Sequence, residues 1–331
     1  MVPPAALVDL LRREDGYLII SHFNPDGDTL GSAAALALAL EGMGKRTLLL
    51  CRDTVPEQYA FLPAVGRFHT FEAAAASGTD LREYANLVLV DCNAPERTGM
   101  EKSPLAGLTF RNSVVIDHHE TENVFGDIRW VLPGAAATGM MIHCLVRELG
   151  VDLTKDMATD LYAALVVDTG NFRYENTTAE VLEAASALAE AGAEPHVIHR
   201  EINETWSEGR FKLFLKVLNT LYLKDNIAIT SVTRKMLEDT GTTPDDMESF
   251  VSTPKVIQSV KVAALLRETG EREYKVSLRS RDGINVARIA EAYGGGGHRN
   301  AAGCTVRAGL ETAKAELIEK IKEQITLSEL Q

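Results

Sequence analysis

Residues 17–51 read YLIISHFNPDGDTLGSAAALALALEGMGKRTLLLC, and this stretch decides the fold. YLIISH is a short apolar run of the length and composition of a buried strand. The Ala-rich stretch from Thr29 to Met43 is too short and too interrupted to cross a membrane, and it reads as a buried helix. KRTLLLC supplies a second apolar run. Strand, helix and strand in succession form a βαβ unit, the element from which parallel sheets are built.

Working outward, NLVLVDC (86–92) and SVVIDHH (113–119) are two more short buried strands, each ending in polar residues able to bind metal. Helical patterns follow at 138–149, 155–167 and 178–191, the last with Thr177 or Thr178 as its N-cap. The alternation predicts an α/β fold, a mostly parallel sheet with helices on both faces. Residues 1–191 form this first domain. Residues 192–223 are helical but less regular and read as a connector. Residues 224–331 form a smaller α/β domain with strands at NIAITSVT (226–233), VKVAALLRE (260–268), REYKVSLRS (272–280) and CTVRA (304–308). Helices are expected near PDDMESFV (244–251), over NVARIAEAY (285–293) and from 310 to 327, with GGGGHRNAAG (294–303) as a loop.

A chain of 331 residues exceeds one ordinary core, in keeping with two domains. The start has no basic segment of the signal-peptide kind, and Cys51, Cys92, Cys144 and Cys304 are scattered with no CxxC pair, so a cytoplasmic protein with reduced thiols is expected. The net charge of −13 argues against a protein that coats long nucleic acid by counterion release. The surplus lies before residue 224, while 255–307 holds ten basic residues against five acidic, suited to a small anionic ligand.

Ligands of open α/β sheets bind beyond the carboxyl ends of the strands, and the unusual residues stand there. His22, Asp26 and Asp28 follow the first strand in HFNPDGD, a segment that is also a good turn sequence. Asp91 ends NLVLVD, Asp117-His118-His119 ends SVVI, and Asp168 ends LYAALVVD. Carboxylates gathered away from water repel one another unless cations neutralise them. Two divalent ions would do so, and such a pair also acidifies water and stabilises charge on a phosphoryl group. Mixed carboxylate and imidazole donors suit Mn²⁺, with Mg²⁺ or Co²⁺ as alternatives.

HFNPDGD, VD, DHH and VDTGNF, in this order, resemble the four signature motifs of the DHH phosphoesterase superfamily, and GGGGHRNAAG resembles the phosphate-binding motif of the DHHA1 domain. The motifs span residues 22 to 303, and the two-domain layout is similar to the oligoribonuclease/pAp-phosphatase branch. The resemblance implies that His22, Asp26 and Asp91 hold one cation, and that Asp28, Asp91, His118 and Asp168 hold a second, with Asp91 bridging. It further implies that Asp117 orients a histidine, that His119 lies beside the scissile phosphate, and that water is the nucleophile. Gly295, Gly296, Gly297, His298 and Arg299 would contact substrate phosphate across a cleft, joined by Arg279, Ser280 and Arg97.

The expected substrates are short 5′-phosphorylated oligoribonucleotides and 3′-phosphoadenosine 5′-phosphate (pAp), cleaved to mononucleotides. Cyclic di-AMP or its linear product pApA is the alternative within the same chemistry. A catalytically silent nucleotide-binding regulator is the alternative of another class. No long-duplex or membrane partner is expected, and a homodimer is left open. His69, His143, His196 and His199 lack motif context and read as surface or packing residues, as do Trp206 and Phe211 in the connector.

Overall fold

The structure, a computed structural model, describes residues 1–120, 124–247, 249–281 and 283–329. The chain forms two units, Met1–Thr205 and Trp206–Gln331. The segment 192–223 supplies one helix to each unit.

In the first unit the elements are α1 (Ala5–Arg13), β1 (Tyr17–Ile20), α2 (Gly27–Gly42), β2 (Thr47–Cys51), β3 (Phe68–Thr70), α3 (Phe71–Ala76), β4 (Asn86–Val90), β5 (Asn112–Asp117), β6 (Ile128–Val131), α4 (Thr138–Leu149), α5 (Lys155–Asp168), α6 (Ala179–Glu190) and α7 (Pro195–Asn203). The six strands lie in the order β3-β2-β1-β4-β5-β6, and every pairing is parallel. Side chains alternate between the two faces. Tyr17, Ile19, Val88, Val90, Val114 and Ile116 pack on one side against α1, α2, α4, α5 and α6. Leu18, Ile20, Leu87, Leu89 and Val115 pack on the other beneath α3 and irregular chain. Helices cover both faces, but the cover is thick on one and thin on the other.

The Ala-rich composition of α2 has a packing cause. The helix is buried on nearly every side. A Cβ at Gly31 would stand 2.2 Å from the Asp160 carbonyl oxygen of α5. At the start of α4, a Cβ at Gly139 would stand 2.5 Å from Ala164 Cβ. Small residues therefore let α2, α4 and α5 meet almost backbone to backbone. The N-terminus of α2, the N-terminus of α4 and the C-terminus of α5 converge as a result.

The second unit contains α8 (Glu208–Leu218), β7 (Tyr222–Lys224), β8 (Ile227–Val232), α9 (Arg234–Thr240), β9 (Val262–Gly270), β10 (Glu273–Ser280), α10 (Val286–Glu291), β11 (Gly296–His298), β12 (Ala301–Val306) and α11 (Leu310–Glu329). Its sheet runs β11-β12-β10-β9-β8-β7 and is mixed: β8 and β9 pair parallel, and the other pairings are antiparallel. The helix expected over 244–251 is instead two 3-10 segments, Pro244–Met247 and Phe250–Val256, with Glu248 outside the described residues. Trp206 packs with Phe214 and Phe250, whereas Phe211 is exposed.

Candidate active site

The chain runs outward from β1 through β2 to β3 and then returns to β4 on the other side of β1. The order reverses between β1 and β4, the position at which such sheets place their ligands. His22 follows β1, Asp91 follows β4, and Asp117 ends β5 with His118 and His119 next in line. Asp26 caps α2, accepting the N–H groups of Asp28 and Thr29 at 3.1 Å each. Asp28 lies in the first turn of α2, and Asp168 is the last residue of α5. The turn reading and the ligand reading of HFNPDGD thus hold together: the Asp26 carboxylate caps the helix and stays within 4.8 Å of ligand atoms of His22 and Asp91.

Three sets of donors converge. One atom from each of His22, Asp26 and Asp91 lies within 4.8 Å of the others, and the same holds for Asp28, His118 and Asp168, and for Asp91, His118 and His119. Asp91 divides its two oxygens between the sets. Its Oδ2 is 3.4 Å from His22 Nε2, and its Oδ1 is 3.5 Å from His118 Nε2. The residue sits at φ 58°, a left-handed backbone uncommon outside glycine and asparagine, which turns the carboxylate off the strand end.

Backbone carbonyls fix the imidazoles of His22, which is buried, and His118, which is partly buried. His22 Nδ1 lies 2.8 Å from the Phe23 carbonyl oxygen and His118 Nδ1 lies 3.1 Å from that of Ala135, so each can donate there and present Nε2 to the carboxylates. His118 Nε2 is 3.1 Å from Asp168 and 3.7 Å from Asp28. His119 differs. Its Nδ1 is 2.8 Å from Asp117 Oδ1, the same oxygen accepts its backbone N–H, and its side chain is 38% exposed, with Nε2 as the nitrogen left for a ligand.

Electrostatics mark this cluster as a place for cations. Asp28 and Asp91 are fully buried, and burial pushes both carboxyls well above their ordinary pKa. Neighbouring carboxylates push the same way, Asp91 and Asp168 on Asp28, and Asp26 and Asp168 on Asp91. Burial would lower the pKa of His118, but Asp168, Asp28 and Asp91 outweigh it and raise it to about 10. The residues therefore fit divalent ions in donor type, in spacing and in a charge that asks to be neutralised.

Several supporting residues escaped sequence reasoning. Thr138 N–H and Gly139 N–H donate to Asp28 Oδ2 and Oδ1 at 2.7 and 2.8 Å. Ser32 Oγ donates to Asp28 Oδ1 at 3.0 Å, and Thr138 Oγ1 donates to Asp91 Oδ1 at 2.9 Å. Ala137 gives α4 no side-chain cap, and the carboxylate of Asp28 takes that place from another helix. Asn176 Nδ2 donates to the carbonyl oxygens of Ala136 and Asp168. Arg97 is half-buried, and its carbonyl accepts the Phe23 N–H at 2.8 Å, tying the loops after β1 and β4 together.

In the second unit GGGGHRN is not an open loop. Gly296–His298 pair with Ala301–Gly303 as a tight hairpin that turns at Arg299 and Asn300. Two of the glycines have a packing reason: a Cβ at Gly295 or Gly297 would come within 2.6 Å of the facing strand. Gly296, Gly297, His298 and Arg299 are exposed, and the Arg299 guanidinium donates to the Gly283 carbonyl oxygen at 2.8 and 3.0 Å. Arg279 sits opposite Ala301 in the sheet. Ser280 is buried, and its hydroxyl donates to the Ile284 carbonyl oxygen at 2.6 Å. It shapes the hairpin's surroundings more directly than it offers a donor.

Comparison with known proteins agrees with this architecture. Residues 17–165 match the DHH family, N-terminal domain, and residues 224–327 match the DHHA1 domain. A bifunctional oligoribonuclease and PAP phosphatase from Thermus thermophilus is 32% identical over 97% of this chain and 94% of its own length. A protein of the same description from Bacillus subtilis is 26% identical over 91% of this chain and 92% of its own length. The crystal structure of an exopolyphosphatase-related protein from Bacteroides fragilis superposes with a TM-score of 0.90 at 26% identity, covering 99% of each chain. With the strand-end carboxylates and histidines in place and both domains matched in order, the chain belongs to the DHH family of phosphoesterases, in the form that carries a DHHA1 domain.

Proposed function

We propose that the protein hydrolyses short 5′-phosphorylated oligoribonucleotides and pAp to mononucleotides, with two divalent cations, Mn²⁺ foremost, held by His22, Asp26 and Asp91 and by Asp28, Asp91, His118 and Asp168. The observation that carries this reading is the division of the Asp91 carboxylate between His22 and His118, the arrangement a bridging ligand needs. Two relatives described as oligoribonuclease and PAP phosphatase, aligned over nearly the whole chain, support the substrate class. When bound, the cations offset phosphoryl charge and lower the pKa of water so that it can attack near neutral pH.

The chain's own residues do the rest. Asp28 and Asp91, immobilised by Thr138, Gly139 and Ser32, keep the reacting centre preorganised. Asp117 orients His119 through Nδ1, which leaves Nε2 to donate to a phosphate oxygen or to protonate the leaving oxygen. In the second unit the exposed glycines of the hairpin let a phosphate approach the backbone, and His298 and Arg299 add donors for it.

Incubation with Mn²⁺ of pApA, pAp and cyclic di-AMP in parallel, with products sized by chromatography, tests this. AMP from pApA and from pAp is expected, with cyclic di-AMP slower than either. Preference for the cyclic dinucleotide would replace this reading by the alternative substrate. No turnover of any of the three, with nucleotide binding retained, would support a silent regulator.

A further inference from the structure

We propose that Thr138 is a positioning residue that locks the Asp91 carboxylate in its bridging orientation and so couples the two cation sites. The inference rests on the two-cation reading above and adds to it the device that holds the shared ligand.

A carboxylate turns easily about its last side-chain bond. Left to itself, Asp91 could swing both oxygens towards one cation and serve the other poorly. Its Oδ1 accepts the Thr138 hydroxyl proton at 2.9 Å, which leaves Oδ2 on the His22 side. The hydroxyl is the donor, because an ionised carboxylate can only accept. Thr138 is fully buried, so no water competes for that proton.

The hydroxyl is itself well anchored. The backbone N–H of Thr138 donates to Asp28 Oδ2 at 2.7 Å, so one residue holds a carboxylate of the second set and the carboxylate shared by both. The backbone is tied down on the next residue too, where the Gly139 N–H donates to Asp28 Oδ1 at 2.8 Å and a Cβ would stand 2.5 Å from Ala164. A β-branched side chain adds a restricted χ1. Serine keeps the hydroxyl, while valine keeps the shape and the backbone bond to Asp28 but loses the link to Asp91.

Mn²⁺ titration of the full chain by calorimetry, followed by electron paramagnetic resonance at two ions per chain, tests this without recourse to turnover. Wild type and Thr138→Ser are expected to bind two ions and show a spin-coupled signal. Thr138→Val is expected to bind one ion normally, to bind the other roughly 10-fold or more weakly, as is typical when a supporting bond to a metal ligand is lost, and to lose the coupled signal. Should the valine variant fail to fold by circular dichroism, Thr138→Ala is judged by the same two readouts. A hydroxyl-free variant with wild-type affinities and a coupled signal overturns this inference and leaves the two-cation reading standing. A wild-type protein that binds a single ion overturns both.

Discussion

The two units hold their polar residues in opposite ways. In the first, Asp28, Asp91 and Asp117 are buried, and the surrounding imidazoles are each fixed by a named carbonyl or carboxylate. In the second, His298 and Arg299 lie on an exposed hairpin, and among the described residues the Arg299 guanidinium donates to one carbonyl, that of Gly283. Fixed geometry suits bond breaking, which depends on donors already aimed at the charge to come. An exposed, lightly held cation suits the capture of ligands that differ in length. The contrast predicts that substitutions in the first unit strike kcat and those in the second strike KM.

The largest test is Asp91→Asn. Asparagine tolerates the left-handed backbone at φ 58°, so the fold is expected to survive while the charge shared by both cation sets is lost. Turnover should fall below that of any other single variant, and a rate near wild type in steady-state assays would break the bridging assignment. His119→Ala comes next, with kcat down by about 10²–10⁴, the usual range for a lost proton donor, and KM little changed. An equal effect on KM alone would move His119 from chemistry to binding. Arg299→Ala sharpens the other side of the contrast: KM for pApA should rise roughly 10–100-fold, the worth of a charge-assisted hydrogen bond, with kcat preserved. An unchanged KM for every substrate would remove the hairpin from recognition.

The smallest effect is one of stability. Asp160 is fully buried in α5, and among the described residues neither carboxylate oxygen has a hydrogen-bond partner. Burial is the largest cause raising its pKa well above 3.8, with Asp156 adding to it. The folded state therefore keeps this proton to higher pH than the unfolded chain. Its contribution is fully present below the unfolded value and is lost as pH rises from there towards the folded value. Asp160→Asn should flatten that slope and raise Tm at pH 8 by about 2–4 °C for each kcal/mol recovered. Calorimetric scans at pH 5 and pH 8 with the same slope as wild type would refute it.

Much of the first unit was legible in the sequence because burial and chemistry coincide there. A run such as NLVLV, short, apolar and rich in branched residues, fits an inner strand, and an aspartate placed directly after it stands at a strand end. The helices read at 138–149 and 155–167 stand at Thr138–Leu149 and Lys155–Asp168. What supports the site was less visible. The cap that Asp28 places on α4 joins residues more than a hundred positions apart, and no local pattern announces it. The short strands β3, β6 and β7 carry too few residues to show a period. The hairpin at 296–303 was hidden because glycine-rich sequence reads as loop, whereas two of its glycines are there to let strands approach.

The place of β1 in the sheet has a consequence for how the protein is made. Its two neighbours are β2 and β4, and the second arrives only after the chain has passed through β2, β3 and α3. Such non-local pairing is slow to form, since loop closure precedes the contacts that reward it. His22 follows β1 and Asp91 follows β4, so the two can become neighbours only when β4 pairs beside β1. A ligand that needs both side chains would therefore have no complete site until that pairing is made.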